Sequence, residues 1–241
     1  PVTVTGPTGE PRRTRYALAG DVAVVELAET VGLAALPGEV LAPHTASTRG
    51  LGELIAAAVA GGARTVVVGL GGSSSTDAGA GLLQGLGARL RTEQGQEIGP
   101  GTEGLAELAT VDLAPALDAL DGATLIVAND VTNPLLGPDG AAAVYGPQKG
   151  LTPDDVAQVD ALVSRAAGIL DPSGSLHGRE GAGAAGGTGF ALFLLGAQQR
   201  SGADAVLELA GFDALLARAE LVITGEGKLD EQTLQGKGPA E

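Results

Sequence analysis

The sequence of 241 residues contains no cysteine, methionine or tryptophan, and only 2% of its residues are aromatic. Without cysteine the chain can form neither a disulfide nor a thiolate metal site. Hydrophobic residues still make up 44% of the chain, so we predict a sizeable core built from aliphatic side chains. The length allows one large domain or two small ones.

Basic residues are scarce too, because 14 Lys and Arg stand against 29 Asp and Glu, for a net charge of −15. This balance disfavours nucleic acid as a partner, since polyanions require the opposite sign. No run approaches the roughly 18–20 apolar residues of a membrane span, and no signal-peptide pattern opens the sequence. We therefore expect a soluble, cytoplasmic protein.

Both ends of the sequence are unusual for a complete protein. The chain begins at Pro1 without an initiator Met, and residues 236–241 follow a predicted strand and turn where a helix would be expected. We expect the sequence to be part of a longer protein and to be inactive by itself.

Strands alternate with helices along the chain. Continuous apolar runs at residues 65–68, 124–128 and 221–224 are typical of strands buried on both faces. Shorter strands are predicted at residues 2–5, 15–19 and 22–27, and helices at residues 51–60, at 77–90 and from Thr152, where Thr-Pro-Asp-Asp favours a helix start. The alternation predicts an α/β fold with a mainly parallel sheet flanked by helices.

A glycine-rich loop at residues 69–77 follows the first buried strand and precedes a helix. Its free backbone N–H groups and the helix dipole favour a phosphate or carboxylate. The loop is not a Walker A motif, and it lacks the third glycine of GxGxxG. A flexible turn with a Ser or Thr cap is the alternative interpretation.

Two further clusters carry charged groups. Asp130, at the end of the second buried strand, can ligate Mg²⁺ or accept a proton from a substrate hydroxyl, although an Asx turn before Pro is also common in this pattern. Lys149 lies in a tight Gly-Pro-Gln-Lys-Gly turn and can neutralise phosphate or remain a solvated surface residue. Ligands bind beyond the carboxyl ends of parallel strands, so we expect the clusters to share one crevice.

Two clusters remain. Residues 181–189 contain no titratable group, and they fit either an anion-binding helix entrance or close helix packing. Glu226 and Asp230 suit a metal–phosphate site or an exposed charged turn. Because Cys and a GxSxG nucleophile motif are both missing, covalent hydrolysis has little support. The remaining groups, which are glycine loops, a few acidic residues and a few lysines, favour phosphoryl transfer, in which a protein mainly positions groups and offsets charge.

Four segments in this order resemble the bacterial class I glycerate kinase family: residues 69–86 (GLGGSSSTDAGAGLLQGL), 130–150 (DVTNPLLGPDGAAAVYGPQKG), 181–189 (GAGAAGGTG) and 223–237 (ITGEGKLDEQTLQGK). The resemblance covers nearly the whole chain. It implies ATP-dependent phosphorylation of D-glycerate, with 2-phosphoglycerate favoured as product and Mg²⁺ as cofactor. It also implies two α/β domains, one inserted in the other, with boundaries placed near residues 45 and 220. Stretches of the family at both ends are missing here.

Chemistry and resemblance together give each candidate residue a role. Asp130 would accept the hydroxyl proton or hold Mg²⁺, and Lys149 would offset phosphate charge. The candidates for binding substrate or phosphate are Gly71, Gly72, Ser73, Ser74, Asp77, Asn133, Gly183, Gly186 and Gly187, and those for metal are Glu226 and Asp230. The family's usual loop reads GGSATNDGG, so Thr76 here replaces Asn and Ala78 replaces Gly, while Asp77 is kept.

Three other functions match the sequence less well. The first glycine loop also resembles that of the GHMP small-molecule kinases, but that superfamily lacks the other three segments. A non-catalytic α/β module that binds a small carboxylate is an alternative from a different class. A nicotinamide-dependent oxidoreductase is disfavoured, because no acidic residue follows the first loop by about 20 residues at a strand end.

Overall fold

The computed structural model describes residues 1–223. The strands are β1 (Val2–Thr5), β2 (Pro11–Thr14), β3 (Ala17–Ala19), β4 (Val22–Glu26), β5 (Thr65–Gly69), β6 (Arg89–Arg91), β7 (Thr110–Asp112), β8 (Thr124–Ala128) and β9 (Gln198–Arg200). The helices are α1 (Leu27–Val31), α2 (Arg49–Ala60), α3 (Ala80–Gly85), α4 (Gly101–Leu105), α5 (Ala114–Leu120), α6 (Ala141–Tyr145), α7 (Pro153–Leu170), α8 (Ala184–Leu194), α9 (Gly202–Leu209) and α10 (Phe212–Leu216).

The central sheet has five strands in the order β3-β4-β5-β8-β9. All neighbours pair in parallel except β3, which joins β4 as an antiparallel edge strand. In the middle of the sheet Val67 of β5 pairs with Val24 of β4 and Ile126 of β8. Such β-branched side chains suit a sheet buried on both faces. The predicted α/β fold and its two central strands are confirmed.

Helices pack on both faces of the sheet. On one face α2 and α8 pack beside β4, β5 and β8, and the large aliphatic core lies there, with Phe190 fully buried among Leu, Val and Ala. On the other face α9 lies against β8, and Ala205 packs with Val67 and Ile126 in a smaller cluster. The flanking helices are thus confirmed, as is the aliphatic core.

Helix α7 begins as its sequence predicts. Thr152 and Asp155 form a capping box, in which the Thr152 hydroxyl accepts from the Asp155 N–H and the Asp155 carboxylate accepts from the Thr152 N–H. Val159, Val163 and Leu170 form part of its buried stripe. None of the helices formed by residues 1–223 is long and apolar enough to cross a membrane.

The helix predicted at residues 77–90 is wrong at both ends. Ala78 and Gly79 adopt left-handed backbone conformations, with φ of 52° and 70°, so α3 cannot start before Ala80. Gly87, with φ of 100°, follows its end, and Leu90 lies in β6. The strand predicted at residues 15–19 is also displaced, because the chain forms β2 before Arg15 and only the short β3 after it.

The third buried strand, predicted at residues 221–224, is wrong over the part that the structure describes. Leu221, Val222 and Ile223 form no strand and are 76%, 49% and 87% exposed. An apolar run becomes a buried strand only beside a partner for its backbone, and no described strand pairs with it. The sheet instead gains β9, whose Gln-Gln-Arg sequence gives no apolar signal. The domain boundaries near residues 45 and 220 stay predictions.

Candidate active site

A cavity of about 150 Å³ lies beyond the carboxyl ends of the central strands, where β5 continues into Leu70 and β8 into Asn129. Its lining comes from four separate stretches of the chain: Leu70, Gly71, Gly72 and Ser73; Asn129 and Val131; Tyr145, Gln148 and Lys149; and Ala184 and Ala185. The glycine loop, Lys149, residues of the 181–189 segment and the neighbours of Asp130 therefore share one crevice, as expected, whereas Asp130 itself does not line it. Chain folding brings these stretches together because β5 and β8 are parallel neighbours.

The glycine loop forms one wall of the cavity. Gly71 and Gly72 are exposed there, and Gly72 adopts φ of 73°. The Gly72 carbonyl accepts a hydrogen bond from the Leu33 N–H at 2.8 Å, which ties the loop to the segment after α1. The Ser73 hydroxyl is directed to the neighbouring loop, where it donates to the Ala185 carbonyl at 3.3 Å. Backbone is thus the surface that Gly71 and Gly72 offer to a ligand.

Lys149 is the one basic side chain that residues 1–223 contribute to the cavity lining. Only 2% of the residue is exposed, and its Nζ donates to the Ser75 carbonyl. Burial lowers the pKa of the Lys149 ammonium to about 8, while the negative charge of Asp77 acts in the opposite direction. Because an ammonium has three donors, Lys149 can bind Ser75 and still offer hydrogen bonds to an anion in the cavity.

The loops before α3 and within the start of α8 interlock behind this lysine. Ala185, Gly186 and Gly187 have φ of 53°, 71° and 93°, so regular helix geometry in α8 begins only after them. The Gly186 carbonyl accepts from the Ala78 N–H at 3.0 Å, and both partners are left-handed. Left-handed alanines are strained, and such strain concentrates at functional loops. Ala78 occupies the position where the family's usual loop has Gly.

Asp77 anchors these loops from inside the protein. Its fully buried carboxylate accepts from the N–H and the hydroxyl of Thr48, both at 2.8 Å, and from the N–H groups of Gly79 and Gly81, both at 3.2 Å. Burial raises the pKa of the Asp77 carboxyl above its usual value, and these hydrogen bonds hold it down in part. The side chain does not line the cavity.

Asp130 is exposed and faces the opposite side of the strand end. Its Oδ1 accepts from the Gly202 N–H at 2.9 Å, at the first turn of α9. A carboxylate at a helix N-terminus is stabilised by the helix dipole. Its neighbours Asn129 and Val131 line the cavity, but Asp130 does not.

Tyr145 is a cavity residue that the sequence did not single out. Its hydroxyl donates to the Asn133 Oδ1 at 2.7 Å, and the Asn133 Nδ2 donates to the Asp139 carbonyl at 2.8 Å. Both polar atoms of Asn133 are thereby engaged within the protein. Tyr145 is one of two tyrosines in the chain and lies four residues before Lys149. This proximity to Lys149 is the sequence signal that could have identified it as a site residue.

The remaining candidates are placed as follows. Ser74 is buried, and its hydroxyl donates to the Val31 carbonyl at 2.7 Å, away from the cavity. Gly183 packs against Pro134, whose carbonyl lies 2.2 Å from where a Cβ would stand. Glu226 and Asp230 lie outside the described residues. Within residues 1–223 no group of three or more His, Asp or Glu side chains is arranged to hold a metal ion.

The fold and this site define an α/β protein with a small cationic cavity at the carboxyl edge of a parallel sheet. Comparison with known proteins makes the assignment specific: the model of the Glycerate kinase family matches residues 1–241, and the chain belongs to that family. It is 46% identical to a glycerate kinase of Bacillus subtilis and 39% identical to a glycerate 2-kinase of Escherichia coli, covering 98% of this chain and 63% of each relative.

A solved structure shows the same fold. The crystal structure of a Salmonella typhimurium LT2 protein assigned as glycerate kinase 2 superposes with a TM-score of 0.90 at 43% identity. The match covers 99% of this chain and 65% of that one. The chain thus spans just under two thirds of the relatives that it matches.

Proposed function

We propose that the protein phosphorylates D-glycerate with ATP. The observation that carries this proposal is the buried Lys149 in a small cavity beside exposed glycine backbone, in a chain of the glycerate kinase family. A buried Lys and free backbone N–H groups give the site the positive potential that the anionic substrates of a phosphoryl transfer require. Because one relative is named a glycerate 2-kinase, we favour 2-phosphoglycerate as the product.

The proposed reaction is a direct transfer. The glycerate hydroxyl oxygen forms a bond to the γ-phosphorus of ATP, the bond to the bridging oxygen of ADP breaks, and the hydroxyl proton is released. Asp130 is our candidate to accept that proton, because it is an exposed carboxylate at the end of β8 beside the cavity-lining Asn129. To act so, it would exchange its hydrogen bond with Gly202 for one with the substrate.

Magnesium would bind chiefly through the phosphates of ATP, since Mg²⁺ retains waters and needs only one or two carboxylates. Asp130 is a described carboxylate that could serve, and Glu226 and Asp230 remain candidates. No step of the proposed transfer depends on which of them binds the ion. Asp77, with four internal hydrogen bonds, would act by positioning the loops.

The test is an ATP-consumption assay with D-glycerate on the protein at its full encoded length, with the product identified by NMR. We expect 2-phosphoglycerate. Formation of 3-phosphoglycerate would keep the kinase and change the position of transfer. Turnover only with another hydroxy acid or a sugar would remove glycerate as substrate, and no turnover with any acceptor would favour the carboxylate-binding module.

Replacing Asp130 tests its role in that assay. If it accepts the proton, Asp130→Asn should lower kcat by about 10²-fold or more. Asp204→Asn is a matched control, because it removes a carboxylate from the first turn of α9, the helix end to which Asp130 is hydrogen-bonded. Near-normal turnover by Asp130→Asn would show that the carboxylate only caps α9.

A further inference from the structure

Lys149 is the cation that the described residues contribute to the cavity, and charge and size indicate which ligand it neutralises. We propose that Lys149 binds the carboxylate of the acceptor, so that the cavity is the acceptor subsite and selects small monoanionic hydroxy acids. This inference rests on the proposed function, but it concerns a contact that can be measured without turnover.

Charge supports this assignment. Among the residues of segment 1–223 that line the cavity, Lys149 carries the single formal charge, and none is Asp or Glu. One buried ammonium matches one carboxylate, whereas the triphosphate of ATP carries several negative charges, most of which this lysine would leave uncompensated. The surrounding protein, with a net charge of −15, offers no excess of cations to make up the difference.

Size leads to the same conclusion. Pockets for drug-sized ligands occupy about 300–1,000 Å³, and this cavity has about 150 Å³. A three-carbon acid is of the right scale and a nucleotide is not. Polar groups for the acceptor's hydroxyls stand nearby, since Asn129, Tyr145 and Gln148 also line the cavity.

The glycine loop is also where the phosphoryl donor could reach the acceptor. A second, wider crevice of about 390 Å³ lies on the other side of the loop, between the sheet and α9. Gly71 and Gly72 line both spaces. An acceptor held by Lys149 can therefore present a hydroxyl at this loop to a phosphoryl group that arrives from outside the cavity.

The experiment compares D-glycerate with D-glyceramide, an uncharged molecule of nearly the same shape, by calorimetric binding without nucleotide. The wild-type protein should bind D-glycerate at least about tenfold more tightly, because a charge-assisted contact is lost with the amide. Lys149→Met should lose most of this preference, while its affinity for ATP changes by no more than about twofold. Arg89→Met is the control, since it removes one surface charge that is paired with Asp112.

Two results would overturn the inference. One is a Lys149→Met protein that keeps its preference for the acid over the amide. The other is a variant that loses affinity for ATP and not for D-glycerate, which would place phosphate at Lys149. Loss of turnover with this binding pattern intact would instead count against the proposed function alone.

A second measurement uses the unmodified protein, in case Lys149→Met does not fold. Among residues 1–223, two titratable groups face Lys149, the buried Asp77 and the Tyr145 phenol, and burial raises the pKa of both. Asp77 acts on Lys149 as a negative charge, and the Lys149 ammonium, with a pKa of about 8, should lose its proton before the Tyr145 phenol as the pH rises. The affinity for D-glycerate should then fall above about pH 8, while that for D-glyceramide stays level. A level profile for D-glycerate would contradict the inference.

Discussion

At the scale of single residues, Lys149 combines a positive charge with nearly complete burial. Burial without full compensation destabilises the charged form, and the lowered pKa of about 8 expresses that cost. The buried positive charge of Lys149 favours the binding of an anion, and it therefore destabilises the folded protein when no anion is bound. A binding site that costs stability is common among proteins.

This cost makes stability depend on pH in a definite direction. Below pH 8 Lys149 is charged in both the folded and unfolded chains, and above its ordinary value of 10.5 it is neutral in both. Between these values the unfolded chain binds more protons, so the free energy of unfolding of the wild type should rise relative to that of Lys149→Met. Urea denaturation of both proteins from pH 7.5 to 10.5 measures the difference. A constant difference would contradict the lowered pKa.

Gly186 lies in the interlocked loops at a position with no room for a side chain. A Cβ there would lie 2.1 Å from the Ser75 carbonyl oxygen and 2.9 Å from the Lys149 Nζ, at φ of +71°. We expect Gly186→Ala to lower the free energy of unfolding by more than about 2 kcal/mol, through strain and displacement of the loop. It should also weaken binding of D-glycerate.

Gly196→Ala is the matched control for this substitution. Gly196 has φ of +82° and no atom within 4 Å of the added Cβ, so the backbone penalty of about 1 kcal/mol should act alone. Urea denaturation and calorimetry on the two variants separate the effects. Equal losses of stability would show that the contacts of Gly186 with Ser75 and Lys149 are unimportant.

At the scale of elements, the strength of local signals decided what the sequence could predict. β5 and β8 are runs of Val, Leu and Ile between polar or glycine residues, and α7 begins with a capping box. The local sequence is therefore enough to predict each of these elements. The start of α3 depends on the left-handed backbone conformation of Ala78, which cannot be predicted from the presence of an alanine. β9 is a polar segment that pairs in parallel with β8, a long-range contact that no local pattern indicates.

The candidate site likewise contains residues that the local sequence predicts and residues whose positions depend on long-range contacts. The glycine loop and Lys149 were predicted from their local sequences, and the cavity contains them. The positions of Asp77 and Asn133 depend on partners distant in sequence: Thr48 binds Asp77, and Tyr145 binds Asn133. Sequence patterns identify the groups capable of chemistry, but long-range contacts determine which of them face the ligand.

The start of α7 provides a test at this scale. Thr152→Ala removes the hydroxyl that accepts from the Asp155 N–H and donates to its carboxylate, and should lower the free energy of unfolding by about 1 kcal/mol. Ser164→Ala, on an exposed position within the same helix, should leave stability unchanged or raise it by a few tenths of a kcal/mol. Thermal denaturation of both variants measures the effect. A Thr152→Ala protein as stable as Ser164→Ala would mean that packing alone holds this end.

At the scale of the whole molecule, the net charge of the protein has the same sign as that of its proposed substrates. A net charge of −15 repels D-glycerate and ATP at long range, while the Lys149 contact attracts the acid only within the cavity. Because salt screens long-range repulsion more than a buried contact, raising ionic strength from about 0.01 to 0.15 M should speed association with D-glycerate by about twofold or more. The association rate of uncharged D-glyceramide should stay constant. Slower association at higher salt would mean that an attractive local field outweighs the net charge, and would direct attention to basic residues around the cavity mouth.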